Sequence, residues 1–363
     1  MLAVYFAACG TGGSGDTSPP VYRSYAYVVN YTSATISAFL INADTGALTE
    51  VAGSPFAAPH CPLFIAVHPS GRFVYIVHAS PDFLSDQISG YSIDAATGAL
   101  APLQGSPFVT GTPSAISFAP SGRFAYTPNG TTDSVSAYSV NPATGALTEV
   151  AGSPFAARLG PLSIAVDPSG KFAYAADDRS YEISAYSINP ATGALAEVVG
   201  SPFWAGFGPV FVAIDPSGKF AYAAIHDTSQ VSAFSINPAT GALTGVAGSP
   251  FTSVDWPAAI AIGPSGKFAY VVNTGSDNVT SFSINPATGA LTEAAGSPFA
   301  TGDVPLSIAI DSSGRYAYVV NLFSQSVSGF SIAASTGALS AVPGSPFGTG
   351  MGPECIAVVR LSQ

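Results

Sequence analysis

Charge is the scarcest property of this sequence. Only 9% of its 363 residues are Asp, Glu, Lys or Arg, against about 25% in an average soluble protein. The ten basic residues are scattered and outnumbered by 21 acids, so a footprint for a phosphate backbone is missing and no nucleic-acid partner is expected. Long apolar runs are missing too: no 18-residue stretch is free of Pro, Gly and Ser clusters, so no spanning helix is expected. Three cysteines (Cys9, Cys61, Cys355) are too few for a disulfide framework and lack zinc-ligand spacing. No G-x-S-x-G elbow, H-E-x-x-H or P-loop occurs, which leaves the well-marked hydrolase and nucleotide classes without support. No metal and no cofactor is expected.

What is present is Gly (38), Pro (30) and 11% aromatics within a chain that is 47% hydrophobic. Gly follows no three-residue period, so collagen is excluded, and the apolar content excludes disorder. The mix suits short strands joined by tight turns.

Internal repeats set the architecture. GSPF begins at Gly53, Gly105, Gly152, Gly200, Gly248, Gly296 and Gly344, and TGAL begins at Thr45, Thr97, Thr144, Thr192, Thr240, Thr288 and Thr336. One unit, read from Pro257, holds four strand-like runs: AAIAI, KFAYVV, VTSFSI and ALTEAA. Asp167-Pro168-Ser169-Gly170 is a type I turn signature, and Asn189-Pro190-Ala191-Thr192-Gly193 supplies Gly where φ is expected to be positive. Four antiparallel strands repeated seven times predict an all-β, seven-bladed β-propeller. A solenoid is the alternative, but it would need distinct polar caps at both ends. The first unit starts at Tyr25 with no inner strand before it, and the last GSPF is followed by Pro353–Val359. The C-terminal run is therefore expected to complete blade 1 and close the ring, making residues 21–363 one domain.

Residues 1–20 read separately. MLAVYFAA, ending at Cys9 and followed by a Gly/Ser tether, resembles a bacterial lipoprotein processing site with Cys9 as the lipidated residue. The alternative is a frayed, unprocessed tail. The first reading implies an extracytoplasmic protein that meets the membrane only through a lipid anchor.

The repeats also compare the two faces of the ring. The PSG and NPATG turns on one face barely change, and six of the ten basic residues occupy one repeated turn position there. His68 replaces a turn Asp on that face and reads as structural. On the other face the blade-to-blade loops and the segments after each second strand diverge. That face carries His60, His78 and His226 as candidate general bases, and Arg158 and Arg179 to hold a carboxylate or an oxyanion. Asp177 and Asp178 are candidates to orient a His or to bind a hard cation such as Ca²⁺, and Trp204 and Trp256 to stack a ligand ring, with Asp255 and Asp303 as further binding groups. Asn30, Asn129, Asn273 and Asn321 occupy the place of His78 and Asp177. Cys61 and Cys355, on neighbouring inner strands, read either as a disulfide at the clasp or as two buried thiols.

The unit P-x-x-I-A-V-D-P-S-G-[KR]-F-A-Y-V-V-N resembles the seven-bladed propeller lactonase family, which includes 6-phosphogluconolactonase-like proteins. Ala269–Asn273 (AYVVN) also resembles the YVTN repeats of surface propellers. The resemblance spans about residues 21–360. It implies metal-independent hydrolysis of a sugar lactone by polar groups around the central mouth. Asp177 matches the family's Asp after the second strand, and Glu182 lies near its second acidic position. The family's His-Pro-His at the start of an inner strand has no counterpart here, and a phosphosugar would have only Arg158 and Arg179 to meet it. Two readings follow for a monomer that takes a small-molecule lactone or a glycan. One is an extracytoplasmic lactonase acting at the mouth of the variable face. The other is a non-catalytic cell-envelope propeller that binds glycan or protein through that face.

Overall fold

The computed structural model describes residues 22–79, 87–109, 111–253 and 255–362, and every regular element among them is a β-strand. Cys9 and the lipoprotein-like segment lie outside the described residues.

Seven antiparallel sheets form the blades of a propeller. Blade 4 shows the pattern, with an inner strand Pro161–Val166, a second strand Phe172–Asp177 and a third strand Glu182–Ile188. Its outer strand is split into Leu195–Glu197 and Phe203–Trp204, both paired with the third. Blade 1 takes its inner strand from Pro353–Ser362, paired antiparallel with Tyr22–Asn30, so the two chain ends clasp in one sheet. Inner strands pack against neighbouring inner strands around the ring, which excludes the solenoid. Blade 3 departs from the pattern. Its leading loop is one residue shorter, its inner strand shrinks to Ser117–Phe118, and Pro113 is left as an isolated bridge to Asn129.

The repeated tetrapeptides have separate physical duties. GSPF interrupts the outer strand, which would leave a third-strand amide bare. In blade 4 the Ala185 N–H donates instead to Ser201 Oγ (3.0 Å), and the same bond recurs in all seven blades. TGAL lets blades approach. Gly193 stands at φ +77, and a Cβ there would lie 2.4 Å from the Phe124 ring of the preceding blade. The TGAL glycine also accepts a hydrogen bond from that preceding blade. Tyr174 donates to Gly241 O (2.9 Å), and Tyr27, Tyr75, Tyr126, Tyr222 and Tyr318 do the same in theirs.

Where the repeated basic turn position holds Arg (Arg72, Arg123 and Arg315), it staples the ring on its invariant face. Arg123 reaches Pro190 O in the next blade (3.2 Å), with its guanidinium over the Phe124 ring. His68 pairs Nε2 with Gly122 O (2.7 Å) where Asp167 accepts the Lys171 and Phe172 amides, so it is structural.

Blade 6 breaks the tyrosine pattern. Ser281, where the other blades have Ala or Gly, takes Gly337 O at 3.0 Å and leaves the buried Tyr270 hydroxyl without its blade-to-blade bond. Ser281→Ala frees that carbonyl for Tyr270 and is expected to raise stability by about 1 kcal/mol. Urea unfolding checks this, and the gain should vanish in the S281A/Y270F pair.

Candidate functional site

The Pro that opens each inner strand pairs with the last residue of the second strand, and the register then skips a residue. In blade 4 the partners are Pro161↔Asp177 and Ser163↔Ala176, which leaves Leu162 unpaired. A Pro has no N–H to continue the ladder, and a bulge re-aims the side chain it carries. The skip recurs in six blades. Its unpaired residues are Leu63, Leu162, Val210, Ala258, Leu306 and Glu354, and together they line a cavity of about 190 Å³ at the channel mouth. Five are apolar and the sixth is a carboxylate.

That carboxylate is electrostatically alone. Among the described residues no ion pair reaches Glu354, no Lys, Arg or His lines the cavity, and burial pushes its pKa up to about 7. Tyr31 lies within its field. The Tyr31 phenol is held above its ordinary value by the Cys61 thiol beside it first, and least by Glu354. Cys61 and Cys355 are both free, and Cys355 is buried with its Sγ accepting from Ser307 Oγ (3.5 Å). The clasp therefore carries no disulfide.

The residues singled out by type land in several places. His78 and Asp177 are not rim groups: they are 3% and 0% exposed, as the last residues of their second strands. The pleat turns this position into the sheet, where Asn129 donates to the Ser134 and Ser136 hydroxyls (3.1 and 2.9 Å). Asp177 accepts from Ser184 N and Oγ (2.9 and 2.7 Å). Burial pushes Asp177 up to about 7 and His78 down to about 4. Arg158 turns away from the mouth to pair with Glu197 on the outer strand (2.9 Å). Arg179 is spent on blade 3, donating to Gly130 O (2.6 Å) and to Asp133 (2.9 Å).

His60, Asp255 and Asp303 are exposed on the rim, each two residues before a blade-opening Pro. Among the described residues no hydrogen bond or ion pair joins one to another. The tryptophans do not form a single clamp. Trp256 stacks on His226 (5.7 Å, 20°), whose Nδ1 lies 3.3 Å from Asp227. Trp204 stands in a separate group with Tyr181 and Phe207. The structure thus unites His226, Trp256 and Asp227 and disperses the rest.

Reading by residue type missed Glu354. The signal that finds it is the residue after each blade-opening Pro, where Glu354 is the one titratable group in seven copies. No group of three or more His, Cys, Asp or Glu among the described residues is disposed to hold a metal ion.

Comparison with known proteins agrees with this architecture. The family model for lactonase, 7-bladed beta-propeller, matches over residues 21–156, 65–204, 155–250 and 201–356. Among curated proteins none matches the sequence. A crystal structure of a putative 6-phosphogluconolactonase from Bacteroides uniformis superposes with TM-score 0.82 at 23% identity, covering 93% of this chain and 99% of the other. The periplasmic gluconolactonase of Pseudomonas aeruginosa superposes with TM-score 0.79 at 19% identity, covering 93% and 99%. At these identities the likenesses establish the fold, and the family match spans nearly the whole propeller. The chain belongs to the seven-bladed β-propeller lactonase family.

Proposed function

We propose that the chain hydrolyses an uncharged lactone at the channel mouth, with Glu354 as general base. The observation that carries this reading is a solitary carboxylate in an apolar collar, with its pKa pushed up to about 7 by burial. A base of that strength is matched to neutral pH. Glu354 takes a proton from water as the water oxygen attacks the lactone carbonyl carbon. It returns that proton to the ring oxygen as the acyl C–O bond breaks, leaving a hydroxy acid.

The lining supports the substrate class. No basic side chain among the described residues faces the cavity, so a phosphate would enter without a counter-charge. A pH-indicator assay should give glucono-1,5-lactone a kcat/KM about tenfold or more above its 6-phosphate, a gap of about 1.4 kcal/mol. A preference for the phosphate would overturn the substrate class. No turnover of any lactone by folded protein would overturn the activity and leave the non-catalytic binding reading.

The same reading places the enzyme outside the cytoplasm. Its supports are the lipoprotein-like run ending at Cys9 and the likeness to a periplasmic gluconolactonase. In a bacterial host, Cys9→Ser is expected to move the protein from the membrane fraction to the soluble fraction. Unchanged fractionation would remove the anchor.

A further inference from the structure

On the flank of blade 4 two contacts tie the chain leading into the blade to its third and outer strands: Arg158 pairs with Glu197 at 2.9 Å, and the Tyr186 hydroxyl donates to Ala156 O at 2.8 Å. The matching residues of blade 5 are Gly206, Gly245 and Phe234. The ion pair and the hydroxyl are both gone, and a cavity of about 360 Å³ opens between loop and sheet. It shares no lining residue with the channel mouth.

The loop above this opening is also unlike its counterparts. Trp204 (60% exposed) and Phe207 (51%) meet edge to face at 5.4 Å, and Tyr181 packs against both at 6.1 and 5.1 Å. Where Trp204 stands, the other blades have Ala57, Val109, Ala156, Thr252, Ala300 and Gly348, so propeller packing does not require an indole here. Gly206 sits at φ +115, a conformation L side chains rarely adopt. This loop therefore follows a path that the Arg-bearing loop of blade 4 does not take.

We propose that the blade 5 flank groove binds an uncharged carbohydrate chain, with a pyranose face on Trp204 and hydroxyls on Thr228, Gln230 and Ser249. Charge decides against other ligands. No ionisable side chain lines the groove, so neither an anion nor a cation would find a partner for the charge it buries. An aromatic face beside hydroxyl and amide groups suits a sugar, which offers C–H on one side and O–H around its edge. The volume lies at the small end of ligand sites. Thr228 already donates to Gln230 Oε1 (3.0 Å), and Ser249 Oγ already accepts the Ala233 amide (2.9 Å), so all three polar groups are oriented in advance.

The test is calorimetric titration of the full chain with cellohexaose, maltohexaose and chitohexaose, all uncharged. One of them is expected to bind saturably at micromolar to millimolar concentration. Trp204→Ala should weaken that binding about tenfold or more. Gly245→Glu supplies the carboxylate that Glu50, Glu149, Glu197 and Glu293 carry in other blades, and its Cβ meets nothing within 4 Å. It should fold normally, leave lactone turnover unchanged and weaken the sugar by a similar factor. Binding that survives both substitutions, or no binding by folded wild type, would overturn the proposal. So would Trp204-dependent self-association by light scattering, which would assign the surface to a second copy.

Discussion

Replacing Glu354 with Gln is expected to lower kcat for lactone hydrolysis by about 10²–10⁴-fold while making the protein more stable at neutral pH. The rate loss follows from removing the proton acceptor, since Gln keeps the shape and the hydrogen-bonding edge but cannot take a proton from water. In the wild type, kcat/KM should rise as pH climbs through about 7 and level off above it, because only the ionised carboxylate acts as base. In E354Q that limb should disappear.

The stability gain has the opposite origin. Burial raises this carboxyl from 4.5 to about 7, so the folded protein keeps a proton that the unfolded chain has already released. Stability therefore falls as pH rises across that window, and the cost is complete above pH 7. A shift of that size corresponds to about 3 kcal/mol at 1.36 kcal/mol per unit. The mouth is partly open to water, and screening lowers the figure to about 1–2 kcal/mol. Urea unfolding of E354Q should recover that amount at pH 8 and nothing at pH 4. A variant that turns over normally would remove Glu354 from the chemistry.

The fold was legible because the chain states it seven times. GSPF and TGAL each serve a bond or a close approach that every blade must make, so they survive in phase and count the blades. The candidate site was less legible, because it lies where the repeat is broken. Glu354 stands out only when seven inner strands are aligned on their opening Pro, and a reading tuned to His, Arg and Trp in loops passes over it. His78 and Asp177 were misplaced for a geometric reason. The second strand runs one residue further than its apolar core suggests, and a one-residue change of boundary moves a side chain from loop to sheet interior. Arg158 and Arg179 were placed on the correct face, but a sequence does not disclose that Glu197 and Asp133 stand ready to pair with them. The two tryptophans share a face yet belong to different blades' loops, and only the ring geometry separates them.

Asp177→Asn is expected to stabilise the protein by about 2–3 kcal/mol at pH 8, to leave stability at pH 4 nearly unchanged, and to leave lactone turnover within about twofold. Asp177 is fully buried, and among the described residues its Oδ1 has no hydrogen-bond partner. Burial raises its pKa from 3.8 to about 7, against the opposing pull of the two Ser184 donors. The folded state thus holds a proton that the unfolded chain loses between those values. Stability declines as pH rises through that interval, by about 4 kcal/mol at most. Asn removes the charge and matches four other blades, where Asn30, Asn129, Asn273 and Asn321 donate to hydroxyls of the third strand. It gives back about 1 kcal/mol, because an amide oxygen is a weaker acceptor than a carboxylate for the Ser184 N–H. Urea unfolding at the two pH values reads the difference directly. A loss of stability at pH 8 would mean that the Ser184 bonds outweigh the buried charge. A collapse of turnover with the fold intact would return Asp177 to the catalytic machinery, despite its distance from solvent.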